Sequence, residues 1–591
     1  MGFWGVRGFF MLCLGIESTA HTFSVGIVND EGKILSLISD AFKPQTGGLK
    51  PVDVVEHHYT VFDTVLKQAI SKANIEFSDL DLIAFSQGPG LGPCLRVGAA
   101  ISRSLSLQLN IPIVGVNHCI AHVEIGRLLC NVYDPVTVYV SGGNTIISAF
   151  DSGMYQIFGE TLDLAIGNMI DMVARDYGIP HPGGPKIEEI AKYGTNYINL
   201  PYIVKGMDLS FSGLYTAIWK KSKEETSKKN QADLFYSLQE TSYSMLAEVS
   251  ERAIAHTEKN SVLVTGGVAA NKRLQEMISN ISDEHKIEFH VVPLKYAGDN
   301  GAMIAWTGIL QYKTSKKTEI SETKILPKWR MDEVPIPWRN SLKDKVNESK
   351  KEKPIIELKK SEQTILQEFN FTGEIIRRGA EAVLIHSKWF NRDVLIKYRL
   401  SKEYRISEID SNLRYSRTIK EGRTLIELFK CGIPVPSIFE INPNKGLIVM
   451  QYIKGSRLKD VIPDLSNKEL EKIFREIGYW LAKIHQTMRM HGDLTTSNII
   501  YTQKGELFFI DFGLAESDIG IEEKAMDLHL FKRVISSTHG KYFPFLYDQF
   551  ILGYSKFENS DQNEIQAIIS RINQIELRGR YNIERNKEST K

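Results

Sequence analysis

The stretch Val136-Thr137-Val138-Tyr139-Val140-Ser141-Gly142-Gly143-Asn144 joins a run of β-branched and aromatic residues to a pair of glycines. The run predicts a buried strand, and the glycines predict a loop at its end. Without a Cβ, the backbone N–H groups of such a loop can approach phosphate oxygens. Glycine pairs recur at Gly183-Gly184 and Gly266-Gly267, and Gly88-Pro89-Gly90-Leu91-Gly92 is a further glycine-rich element. One pair marks only a tight turn, but these elements together predict phosphate or nucleotide binding.

Apolar runs of strand length alternate with helical patterns from Met11 to about Leu310, which predicts an α/β fold. The predicted strands are Phe23–Val28, Leu82–Ser86, Pro112–Val116, Val136–Val140 and Ser261–Val264. The stretch Met1–Ile16 resembles the core of a short signal peptide, but cleavage there would destroy Leu14-Gly15-Ile16-Glu17-Ser18-Thr19. We therefore predict no export, and we interpret residues 1–10 as a mis-set start or a disordered extension.

The composition limits the class of protein. A chain of 591 residues predicts two or three domains, and 42% hydrophobic with 24% charged residues is typical of a globular protein. The formal net charge of +1 means that nucleic acid must be bound by local basic patches. The cysteines Cys13, Cys94, Cys119, Cys130 and Cys431 form no CxxC pair, and no apolar run reaches about 18 residues. We expect a cytoplasmic protein with reduced thiols and no membrane contact.

A candidate metal site lies in Asn117-His118-Cys119-Ile120-Ala121-His122. On a helix His118 and His122 share a face, so both imidazoles can reach one ion. Cys119 stands where a zinc peptidase of the HExxH type has its catalytic glutamate. Alone, such a pair is more often two unrelated histidines, but Tyr139 and Asp299 can supply two oxygen ligands. A mixed nitrogen and oxygen site suits Fe²⁺, Zn²⁺ or Mn²⁺.

In combination these motifs resemble the universal tRNA N6-adenosine threonylcarbamoyltransferase family, within the ASKHA superfamily of acetate and sugar kinases, Hsc70 and actin. The resemblance covers about residues 11–340 and implies a duplicated actin/Hsp70-like ATPase fold. It implies transfer of threonylcarbamoyl from threonylcarbamoyl-AMP to N6 of the adenosine adjacent to the anticodon, in tRNAs that read ANN codons. The matching stretches are Leu14–Thr19, Asn117–His122, Tyr139–Thr145, Glu160–Asp163, His181–Gly184, Phe211–Leu214, Thr265–Asn271 and Asp299-Asn300.

The resemblance also implies roles for individual residues. One divalent metal, Fe²⁺ ahead of Zn²⁺, would be bound by His118, His122, Tyr139 and Asp299. Threonylcarbamoyl-adenylate would be bound by Tyr139, Val140, Ser141, Gly142, Gly143, Asp171, Gly184, Glu188 and Asn271. The metal and the backbone amides would polarise the carbamoyl carbonyl and neutralise the leaving phosphate. No residue is an obvious covalent nucleophile, so direct attack by the adenine amine is the simplest mechanism.

A second pattern follows a lysine-rich stretch, in which residues 341–358 are the predicted linker. Residues 359–591 predict a small two-lobed, protein-kinase-like α+β domain. Its predicted strands are Glu374–Ile376, Ala382–His386, Asp393–Tyr398, Ile438–Ile441 and Leu447–Tyr452, and its predicted helices run through Glu421 and over Leu470–Met488. Trp329 and Trp338, ahead of the linker, are expected to pack back onto the first domain.

The second domain carries phosphoryl-transfer motifs in the order of a kinase. His491-Gly492-Asp493 with Asn498 has the spacing of a catalytic loop, and Asp511-Phe512-Gly513 has that of the magnesium-binding element. Asp493 would orient or deprotonate the acceptor, and Asn498 and Asp511 would hold Mg²⁺ on ATP. The predicted ATP-binding residues are Gly379, Ala382, Lys397, Glu421, Gln451 and Ile453, with Glu421 as the ion-pair partner of Lys397.

This domain resembles the small atypical serine/threonine kinase of the KEOPS complex. Gly379-Ala380-Glu381-Ala382 replaces a GxGxxG loop, Thr495 stands in place of the catalytic-loop lysine, and no APE segment follows the DFG. Because docking elements are missing, ATP hydrolysis that resets the transferase is at least as plausible as protein phosphorylation. Basic residues within Arg414–Arg423 and Arg578–Tyr581 are candidates for contacts to tRNA phosphates, or for an ordinary solvated face.

Three hypotheses of different classes remain. The first is a bifunctional tRNA-modifying protein, an archaeal fusion with tRNA, threonylcarbamoyl-AMP, ATP and other KEOPS subunits as partners. The second is a metallo-glycoprotease fused to a kinase, which requires a general base near the metal and a secreted setting. The third is a non-catalytic scaffold, which is opposed by the intact His118, His122, Asp299, Lys397, Asp493 and Asp511.

Overall fold

The computed structural model describes residues 10–44, 50–224, 228–314, 318–340, 367, 373–557 and 562–581. The chain divides into two compact units. The first comprises Met1–Pro201, Phe211–Tyr243 and His256–Glu348, and the second comprises Tyr202–Ser210, Ser244–Ala255 and Ser349–Lys591. Residues 1–9 of the predicted extension and the predicted linker at 341–358 lie outside the described residues. The domain boundaries therefore stay predictions.

Strands occur in both units. They are β1 Leu12–Glu17, β2 Thr22–Asn29, β3 Ile34–Ala41, β4 Leu82–Gly88, β5 Ile113–Asn117, β6 Val136–Val140, β7 Thr145–Asp151, β8 Met154–Glu160, β9 Val204–Lys205, β10 Asp208–Leu209, β11 Ser261–Thr265, β12 Glu288–Val291, β13 Gly373–Arg378, β14 Ala382–Trp389, β15 Arg392–Arg399, β16 Ile438–Asn442, β17 Leu447–Gln451, β18 Gly455–Arg457, β19 Arg489–Met490, β20 Ile499–Thr502, β21 Leu507–Phe509 and β22 Glu516–Ser517. The strands predicted from the sequence all form, with small shifts at their ends.

The helices follow the same chain order. They are α1 Pro51–Ala73, α2 Gly92–Leu109, α3 His118–Cys130, α4 Ile166–Asp176, α5 Gly184–Ala191, α6 Ser212–Glu224, α7 Lys228–Thr257, α8 Lys272–His285, α9 Leu294–Ala297, α10 Gly301–Thr314, α11 Pro337–Asn340, α12 Ser407–Lys430, α13 Leu458–Val461, α14 Asn467–Gln486, α15 Ile521–Thr538, α16 Phe545–Ser555 and α17 Gln562–Tyr581. Within the described part of the chain, none of them combines the length and apolar character that a membrane span requires.

The first unit contains two five-stranded sheets of one topology. The strand order is β3-β2-β1-β4-β5 in one sheet and β8-β7-β6-β11-β12 in the other. In each, three antiparallel strands are followed by two parallel ones. This repeat agrees with the α/β fold predicted from the sequence and with the duplication that the family resemblance implies.

Both faces of the first sheet are covered. Helices α1 and α2 pack on one face, and α3 and α10 pack on the other. Helix α10 lies so close to β2 that a Cβ on Gly26 would be 2.2 Å from the amide nitrogen of Ala302. The start of α10 is thereby fixed against the sheet, and Asp299 lies just ahead of it.

The residues ahead of the predicted linker pack onto the first unit. Trp338 is buried and Trp329 is partly buried in a cluster that includes Tyr139 and Tyr155. The indole Nε1 of Trp338 donates to Oε1 of Glu124 over 3.1 Å. The expected return of both tryptophans to the first domain is confirmed.

The second unit has a β-rich part and a helical part. Its five-stranded antiparallel sheet has the order β13-β14-β15-β17-β16, and its apolar face forms a core of its own. Helix α14 begins at Asn467 because Ser466 caps it, with Glu469 completing a capping box. The predicted helix at Leu470–Met488 therefore starts one turn earlier than its apolar pattern indicates.

Candidate functional sites

The candidate metal centre is built at the junction of β5 and α3. Asn117 is the N-cap of α3, and its Oδ1 accepts from the backbone N–H groups of Cys119 and Ile120. The cap fixes the first turn, so that His118 and His122 lie one turn apart on the same face. Their rings are 4.8 Å apart.

A carboxylate joins the two imidazoles. Oδ1 of Asp299 lies 3.5 Å from Nε2 of His118 and 3.2 Å from Nε2 of His122. The ligating atoms of the three residues all lie within 4.8 Å of one another. Two imidazole nitrogens and one carboxylate oxygen in a buried position are a donor set that fits a divalent transition metal.

Glu17 lies behind His118, a contact that the sequence does not predict. Nδ1 of His118 is 2.9 Å from Oε2 of Glu17, whose Oε1 accepts from the backbone N–H of Thr19 over 2.6 Å. Metal-binding histidines commonly have such a carboxylate on the second ring nitrogen. Glu17 is the last residue of β1, so the stretch Leu14–Thr19 contributes a side chain as well as backbone.

The charges of the centre shift the protonation of its members. Burial alone lowers the pKa of His118, but the carboxylates of Glu17 and Asp299 raise that pKa to about 9. Burial opposes ionisation of Asp299, yet His118 and His122 hold its pKa below the usual value. Burial lowers the pKa of His122. A metal cation would displace the proton of His118, because only neutral imidazole is a ligand.

Tyr139 lies against the same centre. Its ring stacks on that of His122 with the centroids 4.7 Å apart. Its hydroxyl oxygen accepts from Nδ2 of Asn144 over 3.3 Å. Burial raises the pKa of Tyr139 well above its usual value, so the side chain is a neutral phenol.

The glycine loops border open space. A Cβ added to Gly142, Gly143 or Gly267 would meet nothing within 4 Å. By contrast, Gly266 has a φ of +96°, and its Cβ would lie 2.2 Å from the carbonyl oxygen of Val140. Gly266 thus packs its loop closely against the end of β6. Gly142, Gly143 and Gly267 leave room for a ligand.

The other predicted adenylate-binding residues form a connected set. Oδ1 of Asp171 accepts from the backbone N–H of Gly183 over 2.8 Å, beside Gly184 at the start of α5. Oε1 of Glu188 accepts from the backbone N–H of Lys272 over 2.9 Å. Asn271 caps α8 and donates to Oε1 of Gln239 over 2.9 Å. All three side chains therefore hold loops in place, a role that the sequence does not reveal.

The kinase-like site in the second unit assembles around Lys397. Its Nζ lies 2.9 Å from Oε1 of Glu421 and 2.6 Å from Oδ1 of Asp511. Burial lowers the pKa of Lys397, but the two carboxylates raise it above its usual value. The predicted pair of Lys397 and Glu421 is present, and Arg399 also donates to Glu421.

Asp493 and Asn498 lie together in the predicted catalytic loop. Nδ2 of Asn498 donates to the carbonyl oxygen of Asp493 over 2.9 Å and to its Oδ2 over 3.3 Å. Burial raises the pKa of Asp493 to about 7, opposed by Arg252 and assisted by Asp511. Arg252 belongs to the same unit, with Nη1 3.9 Å from Oδ2 of Asp493.

The remaining predicted ATP-binding residues line the β-rich part. The backbone N–H of Gly379 donates to the carbonyl oxygen of Ala382, which closes a tight turn between β13 and β14. Gln451 ends β17 and pairs with Ser437, and Ile453 follows it. Glu381 in the same turn accepts from Arg417 over 3.0 Å, a contact that the sequence does not predict. The basic tail Arg578–Tyr581 has its side chains outside the described residues.

Both domains of the chain are similar to known proteins. Residues 33–306 match the tRNA N6-adenosine threonylcarbamoyltransferase family (TsaD), and residues 382–522 match the RIO domain. The chain is 44% identical over 571 residues to the "probable bifunctional tRNA threonylcarbamoyladenosine biosynthesis protein" of Methanothermobacter thermautotrophicus, which covers 97% of this chain and 100% of that protein. The protein of that description from Methanocaldococcus jannaschii is 42% identical with the same coverage. HypF of T. kodakarensis is similar with a TM-score of 0.39 and 16% identity, over 54% of this chain and 49% of that chain.

The fold and the sites define a transferase domain of the ASKHA type joined to a RIO-type kinase domain. The chain belongs to the family of bifunctional tRNA threonylcarbamoyladenosine biosynthesis proteins.

Proposed function

We propose that the first domain transfers a threonylcarbamoyl group from threonylcarbamoyl-AMP to N6 of the adenosine adjacent to the anticodon in tRNAs that read ANN codons. The observation that carries this proposal is the convergence of His118, His122 and Asp299 beside the glycine loops, in a chain of this family. The centre fits one divalent metal, with Fe²⁺ ahead of Zn²⁺.

Different residues of the site are assigned to the metal and to the phosphate. A divalent ion held by His118, His122, Asp299 and Tyr139 would polarise the carbamoyl carbonyl and offset the charge of the leaving phosphate. The loop at Ser141–Gly143 offers the open space that a phosphate needs.

The neighbouring carboxylates are assigned to binding the ribose of the adenylate. Glu188 accepts one backbone N–H, and Asp171 accepts one backbone N–H with Oδ1 and contacts His181 with Oδ2. Each carboxylate keeps lone pairs for ribose hydroxyls. Asn271 and Gly184 border the same ligand. The adenine amine of tRNA attacks the carbonyl directly, since no covalent nucleophile is assigned among these residues.

The experiment is mass spectrometry of nucleosides from tRNA. An ANN-decoding tRNA is incubated with the protein, its companion KEOPS subunits, threonine, bicarbonate, ATP and the adenylate-forming enzyme. We expect N6-threonylcarbamoyladenosine with the wild type and with His290→Ala, a surface control, but not with His118→Ala. If companion subunits of known activity gave no modified nucleoside, the metallohydrolase and scaffold hypotheses would be favoured again. Cleavage of a peptide would favour the metallohydrolase hypothesis.

For the second domain we infer an ATP-dependent kinase or ATPase that resets the transferase complex after each transfer. The inference rests on the contacts of Lys397 with Glu421 and Asp511 and on the loop of Asp493 and Asn498. Asn498 and Asp511 would hold Mg²⁺ on ATP.

The turnover of ATP tests this inference. Asp511→Ala should abolish the release of phosphate from ATP and any transfer of the γ-phosphate to serine or threonine. Normal hydrolysis by that variant would show that the magnesium assignment is wrong.

A further inference from the structure

We propose that His181 is the proton acceptor of the transfer reaction, held in position by Asp171. This proposal rests on the proposed function of the first domain. It assigns a chemical step to a residue that the sequence motif His181-Pro182-Gly183-Gly184 leaves without a role.

Asp171 on α4 and His181 form a carboxylate–imidazole pair in the first unit. Oδ2 of Asp171 lies 3.1 Å from Nδ1 of His181. The other oxygen of Asp171 accepts from the backbone N–H of Gly183, two residues further on. One carboxylate thus fixes both the imidazole and the loop that carries it. With Nδ1–H facing Asp171, Nε2 is left as the basic nitrogen.

The pair is accessible to a large acceptor. The side chain of His181 is 22% exposed and that of Asp171 is 25% exposed. His118 and His122, by contrast, are 6% and 0% exposed and are assigned to the proposed metal centre. Among these imidazoles, His181 is the one that a nucleobase arriving from solution can reach.

His21 links the pair to the metal centre. Its ring meets that of His181 edge-on, with the centroids 5.4 Å apart, and the charge of Asp299 acts to raise the pKa of His21. Burial lowers the pKa of His21, so it is a neutral neighbour. The groups that face this region are therefore Asp171 on α4, His21 after β1, Asp299 before α10 and His57 on α1.

The chemistry requires such a base. The exocyclic amine of adenine is conjugated with its ring, so its nitrogen is a weak nucleophile until a proton leaves. The lone pair of N6 forms the bond to the carbamoyl carbon, and the bond from that carbon to the phosphate oxygen breaks with its electrons on AMP. N6 passes one proton to Nε2 of His181, which later releases it to water. The products are the modified adenosine, AMP and one proton.

Single-turnover kinetics distinguish a proton acceptor from a pair of residues that only holds the loop in place. The adenylate is mixed with protein, companion subunits and excess tRNA, and formation of the modified nucleoside is followed over time. We expect His181→Gln to lower the transfer rate about 10²–10⁴-fold, the usual contribution of a general base. Affinity for the adenylate, measured separately by titration, should change less than about threefold, well below the loss of rate.

A further readout keeps the test sharp. Imidazole added to His181→Ala should restore part of the rate, which a structural role would not allow. The matched control is His290→Gln, since His290 forms a surface pair with Glu288 at 3.2 Å. Unchanged ATP turnover and metal content would show that each variant is folded.

The outcomes distinguish this proposal from the function on which it rests. If the wild type forms no modified nucleoside, the proposed function fails. If the wild type transfers and His181→Gln does so within threefold of it, the proton-acceptor role is overturned. The same holds if the lost rate is matched by lost affinity for the adenylate, or if imidazole rescues nothing.

Discussion

At His118, one imidazole contacts two carboxylates, Glu17 on Nδ1 and Asp299 near Nε2. The contact with Glu17 orients the ring and raises its basicity. Asp299 lies where it would bind the same metal ion as His118. The pair of histidines is visible in the sequence, but Glu17 is not, because 101 residues separate it from His118. Its role follows only from the three-dimensional contact.

Replacing Glu17 by Gln should weaken metal affinity about 10–100-fold, the effect of losing such a supporting carboxylate. Titration of the metal-free protein with Fe²⁺ or Zn²⁺ measures this directly. Glu56→Gln, a change at an exposed glutamate of α1, is the control and should leave the affinity unchanged. Equal affinities for all three proteins would contradict the role given to Glu17.

His58 makes the first unit sensitive to acid. The residue is fully buried against Phe23, and burial together with His57 lowers its pKa from 6.5 to about 4. The unfolded chain takes up a proton at pH 6.5, whereas the folded chain does so only near pH 4. Stability is therefore complete above pH 6.5 and is lost as the pH falls towards 4, by roughly 2 kcal/mol at pH 5.

His58→Phe should remove this part of the acid sensitivity while it keeps an aromatic ring in the site. Thermal unfolding at pH 7 and pH 5 checks the prediction. The variant should lose less of its transition temperature between the two pH values than the wild type or His290→Gln. An identical loss in all three would contradict a neutral, buried His58.

At the scale of elements, α3 shows how a helix terminus places a metal centre. Asn117 satisfies two backbone N–H groups of the first turn and donates to the carbonyl oxygen of Trp329 over 3.1 Å. The cap joins the helix start to the segment ahead of the linker. The relative positions of His118 and His122 are thus set by the cap and by the helical periodicity.

Asn117→Ala should cost about 1 kcal/mol of stability, the usual effect of losing an N-cap. It should also weaken metal binding, because the first turn carries His118. Ser466→Ala, which removes the cap of α14 in the second unit, is the matched control. That variant should lose a similar amount of stability but keep its metal affinity. If both variants changed the metal affinity equally, the role of the Asn117 cap in placing the metal site would be refuted.

The sequence predicts these elements to different degrees. Buried strands such as β6 and β11 are predicted well, because continuous apolar runs between turn residues have few alternatives. The shared face of His118 and His122 follows from helical spacing alone. The contacts of Glu381 with Arg417 and of Asp171 with His181 are not predictable, since both depend on loops whose course is set by tertiary packing. The apolar pattern does not predict the start of α14, because its cap, Ser466, lies outside that pattern.

At the scale of the whole molecule, two sites of different metal chemistry occur in one chain. The first has imidazole and carboxylate donors that suit a transition metal, and the second has oxygen donors and an amide that suit Mg²⁺. Treatment with 1,10-phenanthroline should therefore abolish tRNA modification and leave ATP turnover in excess Mg²⁺ intact. Loss of both activities in parallel would contradict separate sites, and addition of Fe²⁺ or Zn²⁺ should restore the first.

The most direct test of the division of labour is the amount of modified nucleoside formed per protein from preformed adenylate, with and without ATP. We predict that Asp511→Ala completes one round of transfer and then stops, whereas the wild type continues when ATP is present. His118→Ala should form no modified nucleoside although it still hydrolyses ATP. A full first round by His118→Ala, or continued turnover by Asp511→Ala, would contradict the assignment of transfer to the first site and resetting to the second.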